Sequence, residues 1–336
     1  MNTFLKLGLL SIALLFGCKS KFIKPQIQDL QGLQSIDTNQ IWLSHEHILV
    51  DFIGADSIQP STWNHDSIIQ KILPYLEELS QYEVDYFVDA TPNFLGRNVR
   101  LLEKLSQKSG LKIMTNTGLY GARDNKFIPQ YAKEMSAEEL AQMWIKEFED
   151  GIDGTDIKPG FIKIGVDYPT PLKPMHQKLV KAAALTHLET GLTIASHTGP
   201  AEGVWPQLQI LHEMGVSPNA FIWVHANQEA DSTNYLKAAE AGCWISLDGL
   251  GWEFNQHVEK LLFAKEHGIL ASILISHDAG WYDPQRKNQR IQPYTNIFKY
   301  LIPKLKSEGF TQNEIDLLLK VNPVKAFSLI IRQLEP

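Results

Sequence analysis

Four histidines, a lysine and an aspartate close separate apolar runs of this chain, and together they have the chemistry of metal ligands. His45 and His47 lie in Ser44-His45-Glu46-His47, and Lys163 in Gly160-Phe161-Ile162-Lys163-Ile164-Gly165. His197 follows Ala195-Ser196, His225 follows Trp223-Val224, and Asp278 follows Ile275-Ser276-His277. Neutral imidazoles and carboxylates bind divalent transition ions. His45 and His47 are two apart, and on an extended strand such residues share a face, so both can reach one ion. A His-x-His pair alone is a weak signal, and any one of these histidines reads more simply as a hydrogen-bonded core residue. Four of them at the ends of different runs make that simpler reading hard to sustain.

Lys163 is the most diagnostic of the set. A lysine aimed into a core carries a large desolvation penalty unless it is paired or neutral. It could face outward and snorkel between helices. It could also react with carbon dioxide to give N6-carboxylysine, an anion whose two oxygens can bridge two cations. Two divalent ions, that carbamate, Asp278 and a hydroxide sum to roughly +1, which suits a Lewis acid. Asp278 can bind metal and accept a proton, although His277-Asp278 could also be a strand-end turn or a helix N-cap. His277 itself would point the other way.

Eight short apolar runs must position these residues: Ile41–Ser44, Tyr86–Asp89, Leu111–Thr115, Phe161–Ile164, Leu192–Ser196, Phe221–Val224, Cys243–Leu247 and Ser272–Ser276. Continuous runs of this kind fit parallel strands buried on both faces. Helix signals separate them. Ser136 and Glu139 form a capping box, Met175–Thr190 stops at Gly191, Thr233–Ala241 stops at Gly242, and Thr311 with Glu314 opens a further helix. Alternating strands and helices predict an α/β fold, a (β/α)8 TIM barrel whose strand ends converge on one mouth. Two long connections, 116–135 and 279–292, would lie on that mouth.

The chain has 336 residues, enough for one large barrel, and its 44% hydrophobic content supplies the core. A formal charge of -7 without any basic block argues against nucleic-acid binding. The N-terminus reads as a targeting segment: Lys6, then an apolar stretch from Leu7 to Phe16, then Gly17-Cys18, which resembles a bacterial lipobox. The alternative is an ordinary secretory signal with an incidental cysteine. The expected layout is therefore a lipoprotein signal peptide over 1–17, a lipidated Cys18 and polar linker over 18–38, and a single metal-binding barrel over 39–332. Acyl chains on Cys18 would tether the protein to a membrane of the bacterial cell envelope, facing the periplasm or the outside. Only Cys243 would then remain as a free thiol.

In order and spacing, the motifs SHEH, GFIKIG, ASHTG, WVHAN and ISHDAG resemble those of the phosphotriesterase family of the amidohydrolase superfamily. Asn116-Thr117-Gly118-Leu119-Tyr120, Ile245-Ser246-Leu247-Asp248 and Val321-Asn322-Pro323 agree, so the resemblance spans about residues 38 to 330. It implies two divalent ions, with Zn2+ expected and Mn2+, Co2+ or Fe2+ suited to similar ligands. One ion would take His45, His47, carboxylated Lys163 and Asp278. The other would share the carbamate and take His197 and His225. The resemblance also implies that a bridging hydroxide attacks the substrate while Asp278 takes its proton. A homodimer is an option that no residue of the sequence decides.

Two positions depart from the family pattern. Organophosphate-degrading members carry a histidine after the strand-seven aspartate, coupled to an aspartate after the strand-six histidine. Here those places hold Gly249 and Gln228. Lactone-hydrolysing relatives often carry an arginine where Gly249 stands, a further departure, whereas Tyr120 matches the lactonase-like pattern, in which an aromatic hydroxyl reaches toward metals and substrate, or is simply pocket wall. Trp252 and Trp281 could line an apolar or sugar-stacking pocket, or be plain surface aromatics. Arg123 and Arg286 are candidate contacts for a substrate carboxylate or phosphate, solvated loop charge being the plainer reading. The expected activity is hydrolysis of small-molecule lactones or carboxylic esters. Phosphoester or N-acyl amide hydrolysis is the alternative, and a non-catalytic ligand-binding lipoprotein a distant third.

Overall fold

The computed structural model describes residues 25–334 apart from 37, 169, 170 and 253. The expected signal peptide and Cys18 lie outside the described residues. The chain opens with an antiparallel hairpin, β1 (Gln26–Asp29) and β2 (Gly32–Ser35), joined across Leu30 and Gln31. This corrects the expectation of a polar linker up to residue 38. The residues between the polar ones are apolar, and Ile27 and Ile36 are buried under the barrel, burial that a free linker would forgo.

The barrel strands follow: β3 (Ile41–Glu46), β4 (Val84–Asp89), β5 (Lys112–Met114), β6 (Asn116–Thr117), β7 (Phe161–Gly165), β8 (Thr193–His197), β9 (Phe221–Val224), β10 (Trp244–Leu247) and β11 (Ile273–Ile275). All neighbouring pairs are parallel, in the orders β3-β4-β5 and β6-β7-β8-β9-β10-β11. The expected third strand is split at Thr115, so that β5 pairs with β4 and β6 with β7. Between strands run α1 (His65–Glu77), α2 (Val99–Ser109), α3 (Gln130–Glu134), α4 (Ala137–Asp150), α5 (Pro174–Thr190), α6 (Val204–Glu213), α7 (Thr233–Ala241) and α8 (Phe254–Glu266). The short α9 (Ile302–Ser307), α10 (Gln312–Asp316) and α11 (Asn322–Phe327) complete the chain. The caps expected from sequence are formed: capping boxes at Ser136 and Thr311, and left-handed glycines at 191 and 242.

The ring closes between β3 and the end of β11 through specific bonds. Ser44 Oγ donates to Ile275 O at 3.1 Å, and the His45 amide to Ser276 Oγ at 3.0 Å. The Asp278 amide donates to His45 O at 3.2 Å and the His47 amide to Ala279 O at 2.9 Å. Glu46, fully buried in this seam, accepts from Ser276 Oγ, the His277 amide, His277 Nδ1 and the Ala279 amide at 2.7 to 3.1 Å. Below the mouth the interior is solid. Trp42, Tyr86, Met114, Phe161, Ala195, Ile222 and Leu274 pack there with Ile27, Ile36 and Phe327. Trp42 stacks on Tyr86 with centroids 4.1 Å apart. The barrel is thus a plugged core open at one end only, as strand-end chemistry requires.

Candidate metal centre

Strand geometry brings the six residues to the open end by three routes. On β7 and β8 simple alternation suffices: Phe161 and Ala195 face the packed interior, and Lys163 and His197 follow them two residues on. On β3, alternation from inward-facing Trp42 would turn His45 outward. The pairing of β3 with β4 shifts register between Leu43 and Glu46, and this irregularity turns His45 and His47 into the mouth and Glu46 into the seam. His225 and Asp278 arrive by backbone twist, both in the left-handed region with φ of 62° and 52°. Non-glycine residues there are uncommon and cluster where function holds them.

The resulting group is tight. His47 Nε2 lies 3.0 Å and His45 Nε2 3.6 Å from Asp278 Oδ1, and Lys163 Nζ lies 3.5 Å from His45 Nε2. The His45 and His225 ring centroids are 5.3 Å apart, and those of His197 and His225 4.4 Å. Lys163 is 2% exposed, and no carboxylate among the described residues pairs with it. Burial lowers its pKa to about 8 against the pull of Asp248, Asp278 and Asp89, so its neutral amine is far more abundant than on a surface lysine. Burial, reinforced by Lys163 and the other imidazoles, holds His45 well below its ordinary value. His197 is lowered in the same way, by burial first and then by His225 and Lys163.

Supporting residues fix the ligands. Asp248, fully buried at the end of β10, accepts from His225 Nδ1 at 2.7 Å on one oxygen and from the His225 amide at 3.1 Å on the other. Burial opposes charge on this pair, yet their mutual attraction prevails, raising His225 and lowering Asp248. Asp248 also stands close enough to His45 and His225 to complete a ligand triad. With both oxygens engaged by His225, it is the carboxylate that sets the tautomer of that ring. Thr91 does the same for His47, its Oγ1 lying 2.8 Å from Nδ1. Sequence reasoning noted Asp248 only within a motif and passed over Thr91 and Glu46. A carboxylate between two histidines on a buried strand demands partners, and that signal could have marked Glu46.

The group fits divalent ions on two counts. Its donors are imidazole nitrogens and a carboxylate, and Asp278 Oδ1 is buried without any hydrogen bond. A buried acceptor left bare is costly unless a cation completes it. Above the group is a cavity of about 380 Å3 whose wall includes Lys163, His197, Tyr120, Arg123, Gly249 and Trp281. Tyr120 is buried with its ring 4.9 Å from that of His197, and burial raises its hydroxyl pKa. Trp281 lies edge-on to His47 at 5.0 Å and donates Nε1 to Asp278 O at 2.6 Å. Trp252 stands on the rim, 63% exposed.

A barrel with this mouth has the fold and ligand set of metal-dependent hydrolases. The chain belongs to the phosphotriesterase family, whose model matches residues 25–327. It is 31% identical to an aryldialkylphosphatase of Saccharolobus solfataricus, over 89% of this chain and 99% of that one. It is 26% identical to an N-acetyltaurine hydrolase of Rattus norvegicus, over 79% and 81%. Among solved structures it resembles the phosphotriesterase homology protein of Escherichia coli with phosphate in its active site. The TM-score is 0.75 at 26% identity, covering 87% of this chain and 100% of the other.

Proposed function

We propose that this hydrolase is binuclear and acts on lactones or carboxylic esters of small molecules. The observation that carries the reading is Lys163, buried without an ion-pair partner among the described residues, beside imidazoles that crowd an Asp278 Oδ1 lacking a hydrogen bond. A carbamate on Lys163 would account for the buried lysine, and cations held beside it for the Asp278 oxygen. The neutral amine would add to the carbon of CO2 and lose one N–H proton to water, giving an anion able to help hold divalent ions. Zn2+, with Mn2+, Co2+ or Fe2+ as substitutes, would supply Lewis acidity toward a carbonyl or phosphoryl oxygen and toward water. His45, His47 and Asp278 would hold one ion, His197 and His225 the other. Asp278 would take a proton from attacking water and release it to the leaving group. Tyr120 and Trp281 would shape the acyl pocket and Trp252 its rim.

A second reading, N-acyl amide hydrolysis, is favoured by the N-acetyltaurine hydrolases among the relatives. The same residues serve either bond. The test is a hydrolysis panel of lactones, aryl esters, phosphotriesters and N-acyl amino acids, with metal content and intact mass measured on the same protein. Wild type should hold two ions and carry the mass of one added CO2. Lys163→Met should lose both the added mass and metal, and activity should fall on the order of 100-fold or more. Turnover that survives complete chelation would refute the reading.

A further inference from the structure

Outside the ligand cavity lies a second one of about 760 Å3, and Phe52, Arg123, Trp252 and Trp281 line both. Its rim is cationic, with Arg123, Arg286, Lys287 and Arg290. The one carboxylate in its lining, Asp283, is already engaged: Oδ2 lies 3.1 Å from Arg286 Nε, and Oδ1 accepts from the Gln285 amide at 2.9 Å. Arg123, Lys287 and Arg290 have no ion-pair partner among the described residues. Composition does not explain this cluster, since the chain as a whole carries -7.

Arg123 is held in place by more than chance contact. Arg123, Asp124 and Asn125 all adopt left-handed backbone, with φ of 59°, 55° and 60°. Asp167 accepts the amides of Arg123 at 2.7 Å and Asp124 at 3.0 Å, one on each oxygen. Lys173 binds Asp167 and Asp124, bracing the strained turn. The guanidinium sits 5.1 Å from the Phe52 ring centroid, Phe52 stacks on Trp281 at 5.5 Å, and Trp281 bonds to the Asp278 carbonyl. A continuous wall therefore runs from the free guanidinium to the ligand group. Guanidinium and ammonium groups without partners at the lip of a cavity bind oxyanions.

We propose that the substrate carries an anionic group, a carboxylate, sulfonate or phosphate, remote from the bond that is hydrolysed, and that Arg123, Lys287 and Arg290 bind it. This rests on the hydrolase reading and narrows its substrate class. The test uses the metal-loaded full chain and two probes differing in one charge, the 4-nitrophenyl hemisuccinate ester and its methyl ester. In low salt the charged probe should be preferred by roughly 10-fold in kcat/KM, through KM, and the preference should shrink as salt screens the rim. In Arg123→Met, and in the Lys287→Gln/Arg290→Gln double variant, the ratio between the probes should fall toward one. Equal turnover of both probes by wild type, or equal loss on both in the variants, would overturn the proposal. If neither ester is cleaved, aryl succinates are not substrates and the anion site is decided separately. Methanesulfonate should then still quench the cavity tryptophans with a Kd roughly 10-fold weaker in Arg123→Met, and identical titrations would discard the site.

Discussion

Gly249 and Asn227 settle what became of the specificity position that departs from the family pattern. A Cβ at residue 249 would run into Asn227 Nδ2, so any larger residue there requires the Asn227 carboxamide to shift. Asn227 is 5% exposed, lines the ligand cavity, and its Oδ1 has no hydrogen-bond partner. Gly249→Ala should therefore displace Asn227, at about 1–3 kcal/mol in stability and roughly 10-fold in kcat/KM, with metal content unchanged. Adding Asn227→Gly should restore the stability, a coupling read from thermal melts of the four proteins. Additive effects would mean the two do not compete for space. At this scale the sequence showed which residues could ligate metal, because their types and strand-end positions are local facts. It could not show that Asn227 fills the space over Gly249, because 22 residues separate two positions that only the closed barrel joins.

Helices and strands were legible where local rules decide them. Apolar runs located the strands, and caps at Ser136, Thr311, Gly191 and Gly242 located helix ends. The bulge in β3, the break at Thr115 and the hairpin were not legible, since each answers to a neighbour distant in sequence. Helix α5 shows what such packing adds. Its His176 joins the Asp167 amide to Gly121 O, and its His187 joins Leu192 O to the Arg332 backbone. Burial lowers both from the ordinary 6.5, more than their hydrogen bonds raise them. The folded state thus binds fewer protons than the unfolded one, so their contribution is complete above 6.5 and drains as pH falls below it. Melts across pH 5 to 8 should show stability falling on the acid side, and His187→Asn should flatten that slope. A slope unchanged in the variant would assign it to other groups.

Taken whole, the barrel has a reactive end and a sealed end. The hairpin and Phe327 close the end opposite the ligands, and the described chain begins there. We propose that a lipid on Cys18, the cysteine of the Leu15-Phe16-Gly17-Cys18 motif, tethers the molecule to a membrane. Cys18→Ser should move the protein from the membrane to the soluble fraction with kcat/KM intact, and unchanged partitioning would remove the anchor. The seam carries one more consequence. Glu46 is made early in synthesis and the groups it grips, from Ser276 to Ala279, nearly last. Until those residues leave the ribosome, His45 and His47 have no Asp278, and the ring that sets their spacing is open. A nascent chain would therefore offer a divalent ion only part of the ligand group, and the full group would assemble only in the completed barrel.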